Sequence, residues 1–276
     1  MLKQRVITGL VLGGFMIWAI LSFSTLQLSL LLAGFTVVGA WEWSRLIGLT
    51  SVVSRGVYSA VVAIAIAILH SYYEQLSQVH LVLLIVSCLW WLIGSAWVFN
   101  YKGQKGLTSA NTRVGLIVGF VLLLPTWSAL TQIHGFTEQG PYLLLLVMVL
   151  IAAADSGAYF TGRALGKRKL APMVSPGKTI EGVIGGLVLA LLIAVIAGSL
   201  FDLAHLGVVS LVLIALVVVP FSVMGDLLES LFKRRVGIKD SGIIFPGHGG
   251  VLDRIDSLTA AAPIFALGLI ITEALA

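Results

Sequence analysis

The sequence predicts an all-α integral membrane protein: a polytopic bundle of about nine transmembrane helices, N-terminus cytoplasmic and C-terminus outside. Three observations carry this. Of 276 residues, 59% are hydrophobic and only 11% charged, less than half the roughly 25% charged fraction of a soluble domain. The apolar side chains exceed what one globular core could bury, so most must face lipid or other membrane helices. Apolar stretches of span length recur nine times along the chain, and the basic residues fall only in alternate connections between them. The single cysteine, Cys88, excludes an internal disulfide and reads as a core thiol.

The first stretch, 6–24, follows Lys3 and Arg5. It is longer than the apolar region of a signal peptide and no clean small-x-small cleavage site follows, so it reads as a retained span. The second, 26–43, ends at Trp41 and Trp43, which with Tyr101 and Tyr142 read as interfacial anchors. The third, 56–70, is the shortest; the fourth is 80–99 and contains Cys88; the fifth, 114–133, contains Pro125. The sixth, 142–160, carries Asp155 near its end, and the seventh, 180–200, opens with Glu181. The eighth, 206–225, and ninth, 258–276, contain Pro220 and Pro263, which membrane helices tolerate.

With the N-terminus inside, the inside segments hold Lys3 and Arg5; Arg45 and Arg55; Lys102, Lys105 and Arg113; Arg163, Lys167, Arg168, Lys169 and Lys178; and Lys233, Arg234, Arg235, Lys239 and Arg254. These are all 17 basic residues. The outside connections carry Glu74, Glu138, Asp202 and Glu273 with His70, His80, His134 and His205. A wrong span count would scramble this segregation. The net charge of +5 is therefore chiefly a topology signal rather than a mark of nucleic-acid binding, and it suits an anionic leaflet or substrate.

Function is expected in the second half. Residues 1–135, helices 1–5, read as scaffold, and 136–276, helices 6–9, as the part bearing catalytic segments 161–179 and 226–257. In the latter segment Asp226, Glu229 and Lys233 stand at i, i+3 and i+7 on a helix running out of the eighth span. Asp253 and Asp256 repeat the carboxylate pair at the mouth of the ninth. Two such pairs could converge on one divalent cation, and oxygen-only ligands favour Mg²⁺ or Mn²⁺ over zinc. The surrounding Lys233, Arg234, Arg235, Lys239, His248 and Arg254 suit phosphate chemistry. A solvated basic loop that merely enforces topology would need neither paired acids nor the Gly247-His248-Gly249-Gly250 turn. In the former segment, Ser175-Pro176-Gly177-Lys178-Thr179 is not a P-loop: Pro172 stands where the glycine belongs and no strand is expected before it. Anion binding at the start of the next helix is expected there, against a plain helix cap.

The run Ser230-Leu-Phe-Lys233-Arg234, then Lys239-Asp240-x-Gly242, then Phe245-Pro246-Gly247-His248-Gly249-Gly250-Val251-x-Asp253-Arg254-Ile255-Asp256 resembles the signature of the phosphatidate cytidylyltransferases, or CDP-diglyceride synthases. Asp155-Ser-Gly-Ala-Tyr159, Gly162-Arg163, Gly166-Lys167 and Ser175-Pro-Gly-Lys-Thr179 are similar to the same family, with Ile180 where an aromatic is common. The resemblance implies transfer of the cytidylyl group of CTP to phosphatidic acid, giving CDP-diacylglycerol and pyrophosphate at the inner face of the cell membrane. It implies Asp226, Asp253, Lys239 and Arg254 as catalytic residues, with Asp226, Asp253, Asp256 and Glu229 holding Mg²⁺ and a second cation left open. Lys167, Ser175, Lys178, Thr179, Lys233, Arg234, His248, Gly249 and Gly250 are implied as substrate-binding. It also implies membrane lipids as surroundings, no nucleic acid, and a homodimer as a compatible state. A lateral opening for the acyl chains is expected among the last four helices. A CTP-dependent polyprenol kinase and an ion-coupled transporter are the alternatives; against the latter, no acidic residue falls at mid-bilayer.

Overall fold

The computed structural model describes residues 2–72, 77–103, 108–201, 203 and 206–275, with 2–5, 109 and 110 in backbone only. Glu74, Lys105, Asp202 and His205 lie outside the described residues, as do the side chains of Lys3 and Arg5. The elements in order are α1 (Leu2–Ser22), α2 (Thr25–Leu46), α3 (Val52–Ser71), α4 (Ser77–Phe99), α5 (Ser109–Gly135), α6 (Gly140–Leu165), β1 (Lys169–Ala171), β2 (Ser175–Thr179), α7 (Ile180–Leu200), α8 (Gly207–Arg235) and α9 (Leu252–Leu275). Among the described residues eight helices are long and apolar enough to cross a membrane, and the described apolar part of α1, Val6–Ser22, is shorter. Their outward faces stay apolar: Ile64, Leu92 and Leu192 each expose more than half their surface, which suits lipid rather than water. The chain is a multi-pass helical membrane protein.

Local chemistry sets the helix starts. Ser24 and Gln27 form a reciprocal capping box on α2, and Ser51, Thr108 and Thr179 cap α3, α5 and α7 through their hydroxyls. Helix-to-helix bonds then fix which ends meet. His134 bridges Thr25 and the Ile20 carbonyl, His70 meets Ser29, and His80 meets Ser128. At the opposite end Arg55 donates to the Trp41 carbonyl, Thr8 to the Pro246 carbonyl, and Trp97 packs on Phe232. The end of α2, the starts of α1 and α3 and the ends of α4 and α8 therefore gather together, as alternating spans require.

The face that α7 buries consists of Gly182, Gly186, Ala190, Ala194 and Ala197, a small-residue stripe that lets backbones approach closely. A Cβ on Gly186 would strike the Ala154 carbonyl of α6. This close approach carries the 169–179 segment to the side of α8.

Four local expectations change. Residues 169–179 form an antiparallel hairpin, with Lys169 opposite Thr179 and Ala171 opposite Ser175. Backbone groups leaving a membrane helix find partners across the turn, and the Glu181 carboxylate accepts from the Lys167 and Arg168 amides at its base. The ninth helix begins at Leu252 rather than 258. Trp43 and Tyr101 are buried, not interfacial: Trp43 donates to the Gly115 carbonyl at 2.8 Å and packs on Phe232. Cys88 is half-buried on an apolar groove between α4, α8 and α9 rather than in the core.

Candidate active site

No glycine or proline interrupts the run from Asp226 to Arg235, so α8 continues past its apolar part, with Lys233, Arg234 and Arg235 in the last turn complementing the helix dipole. Ser230 donates to Asp226 at 3.2 Å, one turn away. Phe232 packs against Trp43 at 4.6 Å and Trp97 at 5.4 Å between ring centroids, which fixes the rotation of this last stretch. Gly225 permits the crossing with α9, since a Cβ there would strike the Asp256 carbonyl. Asp226 and Asp256 thereby face one space.

Asp253, in the first turn of α9, is held on both oxygens. Oδ1 receives the Lys233 ammonium at 2.7 Å; Oδ2 accepts from the Ser241 amide at 2.8 Å, the Ser241 hydroxyl at 2.9 Å and the Gly250 amide at 2.7 Å. Gly249 has φ of +81° and a Cβ on it would overlap the Asp253 carboxylate, so the motif needs glycine there for backbone and space alike. Lys233 also lies 3.2 Å from Glu229. From the hairpin, Lys178 pairs with Asp226 at 2.5 Å. Arg234 donates to the Val174 and Ile238 carbonyls, tying hairpin and loop to α8.

These elements enclose a polar cavity of about 590 Å³, lined by Asp155, Asp226, Asp253, Asp256, Lys233, Arg234, Lys239 and Arg254 among others. Among the described residues Lys239 and Arg254 form no ion pair, which leaves them available to an anion. An apolar groove of about 660 Å³ between α1, α2, α5, α6 and α9 shares Met148, Ala152, Arg254 and Leu258 with the cavity.

The structure thus brings together Asp226, Asp253, Asp256, Lys233, Arg234, Lys239 and Arg254, with Lys178 reaching Asp226 and Glu229 behind Lys233. Gly249 and Gly250 shape the loop. Lys167, Ser175, Thr179 and His248 do not line the cavity. Thr179 spends its hydroxyl on the Gly182 amide as a cap, Ser175 starts β2, and the Lys167 amide donates to Glu181. His248 turns toward Gly9 and the apolar groove, with Nδ1 buried and without a hydrogen-bond partner.

Among the described residues no three metal-ligating side chains are already drawn together, because ammonium groups stand between the carboxylates. The donor chemistry nevertheless fits a hard divalent cation: the aspartates are oxygen ligands around one cavity, and behind them Glu229 Oε2 is buried without a hydrogen-bond partner while Oε1 meets the Lys233 ammonium. Two residues have no role assigned from the sequence. Asp240, within the motif beside Lys239, lines the polar cavity. Glu42, 3% exposed, comes from α2; its only sequence signal is a carboxylate between Trp41 and Trp43 at the end of an apolar span.

Comparison with known proteins places the chain among relatives along nearly its whole length. Residues 3–272 match the model of the Cytidylyltransferase family. A protein of Pseudomonas aeruginosa named phosphatidate cytidylyltransferase is 43% identical over 274 residues, covering 96% of both chains. One of the same name from Haemophilus influenzae is 40% identical over 281 residues, covering 96% of this chain and 97% of its own. One from Bacillus subtilis is 42% identical over 151 residues, or 53% of this chain and 56% of its own.

Proposed function

Since this chain belongs to the cytidylyltransferase family, we propose that it transfers the cytidylyl group of CTP to phosphatidate, giving CDP-diacylglycerol and pyrophosphate. The observation that carries the reading is the junction of two spaces at Arg254: a polar cavity of about 590 Å³ with carboxylates and cations, and an apolar groove of about 660 Å³. A substrate pair of which one member is water-soluble and the other a diacyl lipid phosphate calls for such a junction. The triphosphate and the lipid phosphate meet in the polar part while the acyl chains lie along Leu145, Val149 and Ile17. That groove uses α1, α2 and α5 as well as α6 and α9, so the acyl path extends beyond the last four helices.

A phosphate oxygen of the lipid, already anionic, attacks the α-phosphorus of CTP; the new P–O bond forms as the α–β anhydride bond breaks, and pyrophosphate leaves. Such a nucleophile requires little help from a base, so catalysis rests on alignment and charge neutralisation. Lys239, Arg254 and Arg234 hold the phosphates. Lys178 and Lys233 neutralise Asp226 and Asp253 before substrate arrives and turn toward phosphate oxygens when it does. Asp226 and Asp253, backed by Asp256 and Glu229, would hold Mg²⁺, which when bound supplies positive charge to the transferring phosphoryl group.

The gathering of Lys and Arg at one end of the bundle supports a cytosolic site in the cell membrane of a bacterium. Residues 136–276 supply the charged groups of the site, and 1–135 serve as scaffold that also lines the acyl groove through α1, α2 and α5. The family resemblance extends the reading to a homodimer, checked by the mass of the detergent-solubilised protein. The test of function is purified protein with α-labelled CTP, Mg²⁺ and phosphatidate: label enters lipid and pyrophosphate is released in equal amount. Label confined to CDP, as a lipid-alcohol kinase would leave it, overturns the reading.

A further inference from the structure

We infer that Glu42 is a positioning residue for the cytidylyl transfer, acting as an anionic clamp from α2 that sets the start of α9 and through it the Asp253 carboxylate. The inference rests on the functional reading above, and goes beyond it to a residue outside the family motif and outside the second half of the chain.

The first amides of a helix have no partner within it and require an acceptor when buried. For α9 that acceptor comes from far along the chain. Glu42 Oε1 accepts from the Val251 amide at 3.1 Å and Oε2 from the Leu252 amide at 2.9 Å, and Oε2 also accepts from the Ser241 hydroxyl at 3.0 Å. The same hydroxyl oxygen lies 2.9 Å from Asp253 Oδ2, so its single proton is shared between the two carboxylates, while the Ser241 amide donates to Asp253 alone at 2.8 Å. One buried carboxylate thus joins both flanks of the 241–252 loop, one bond removed from Asp253.

Two motif glycines take their reason from this clamp. A Cβ on Gly242 or on Gly250 would overlap the Glu42 carboxylate, although neither residue has a positive φ. They are small because Glu42 fills the space where their side chains would be. A carboxylate placed only to soften burial of a helix end would touch amides; this one also holds Ser241, whose amide and shared hydroxyl proton face Asp253, and charge-assisted bonds to N–H groups in a dry site hold that geometry tightly.

The test uses the full chain in detergent. Glu42→Gln keeps the shape but puts an amide N–H₂ against backbone donors. It should lower kcat by about 30-fold or more while KM for CTP stays within about 3-fold, the pattern of a misplaced reacting group. Ser241→Ala, which leaves the helix amides satisfied, should lower kcat in the same way; it decides the matter if Glu42→Gln does not fold. Gly250→Ala should lower kcat in the parent protein yet add nothing in Glu42→Ala, where the space is open. Kcat within about 2-fold of the parent for Glu42→Gln and Ser241→Ala, or multiplicative losses in the Gly250 and Glu42 pair, would overturn the clamp. Hydrogen exchange at the Val251 and Leu252 amides, faster in Glu42→Gln if the clamp exists and unchanged if it does not, reads it without turnover. A parent protein with no activity on CTP and phosphatidate would defeat the functional reading and leave this last arm standing.

Discussion

Replacing Lys233 by Met removes the one ammonium shared by two buried carboxylates. Lys233 stands 2.7 Å from Asp253 and 3.2 Å from Glu229, and the three side chains are only 8%, 7% and 6% exposed. At an effective dielectric of about 20, each contact is worth on the order of 5–6 kcal/mol before desolvation. Removing one partner of a buried pair costs about 3–5 kcal/mol net, since the other charge stays buried and unpaired. With two carboxylates stranded, the upper end of that range applies, a large fraction of a total stability of roughly 5–15 kcal/mol. Thermal or denaturant unfolding in detergent measures it. Adding Glu229→Gln to Lys233→Met removes one stranded charge and should recover about half the loss, roughly 2 kcal/mol. Millimolar Mg²⁺ should recover part of the remainder if the same acids hold the cation, because a ligand bound only by the folded state stabilises it. A loss below about 1 kcal/mol, the value of a solvent-exposed pair, would refute the argument, since it would mean that solvent already screens these charges.

Asp226→Asn and Asp253→Asn should each abolish entry of label from α-labelled CTP into lipid while the purified protein retains its helical circular dichroism; near-normal turnover in either rejects the metal assignment. Removal of divalent cations by chelation should stop turnover, with Mg²⁺ or Mn²⁺ restoring it and Zn²⁺ failing to do so. A photoactive group on the phosphatidate acyl chain should label Ile17, Leu145 or Val149, and mass spectrometry that finds label only on α3 and α4 rejects the groove. Gly186→Leu should lower the melting temperature by several degrees, about 2–4 °C for each kcal/mol lost, because the added side chain meets the Ala154 carbonyl; an unchanged melt would mean that α6 and α7 part freely.

Hydropathy and charge are local properties, so the sequence alone determined the membrane class, the order of helices and the grouping of basic connections: an apolar run of span length has no other stable home, and a lysine near its end reports the side. The carboxylate spacing on α8 was legible for the same reason, since 3.6 residues per turn places Asp226, Glu229 and Lys233 on one face whatever packs against them. The hairpin at 169–179 was hidden because its pairing depends on Glu181 closing the base and not on an alternating apolar pattern. Tertiary structure alone decided which charges meet. Lys178 reaches Asp226, Lys233 reaches Asp253, and Glu42 caps a helix that begins 210 residues later. A lone carboxylate among tryptophans carries no local mark of its partner. What selects the partner is the cost of burying an unsatisfied charge, and that cost exists only once the helices have packed.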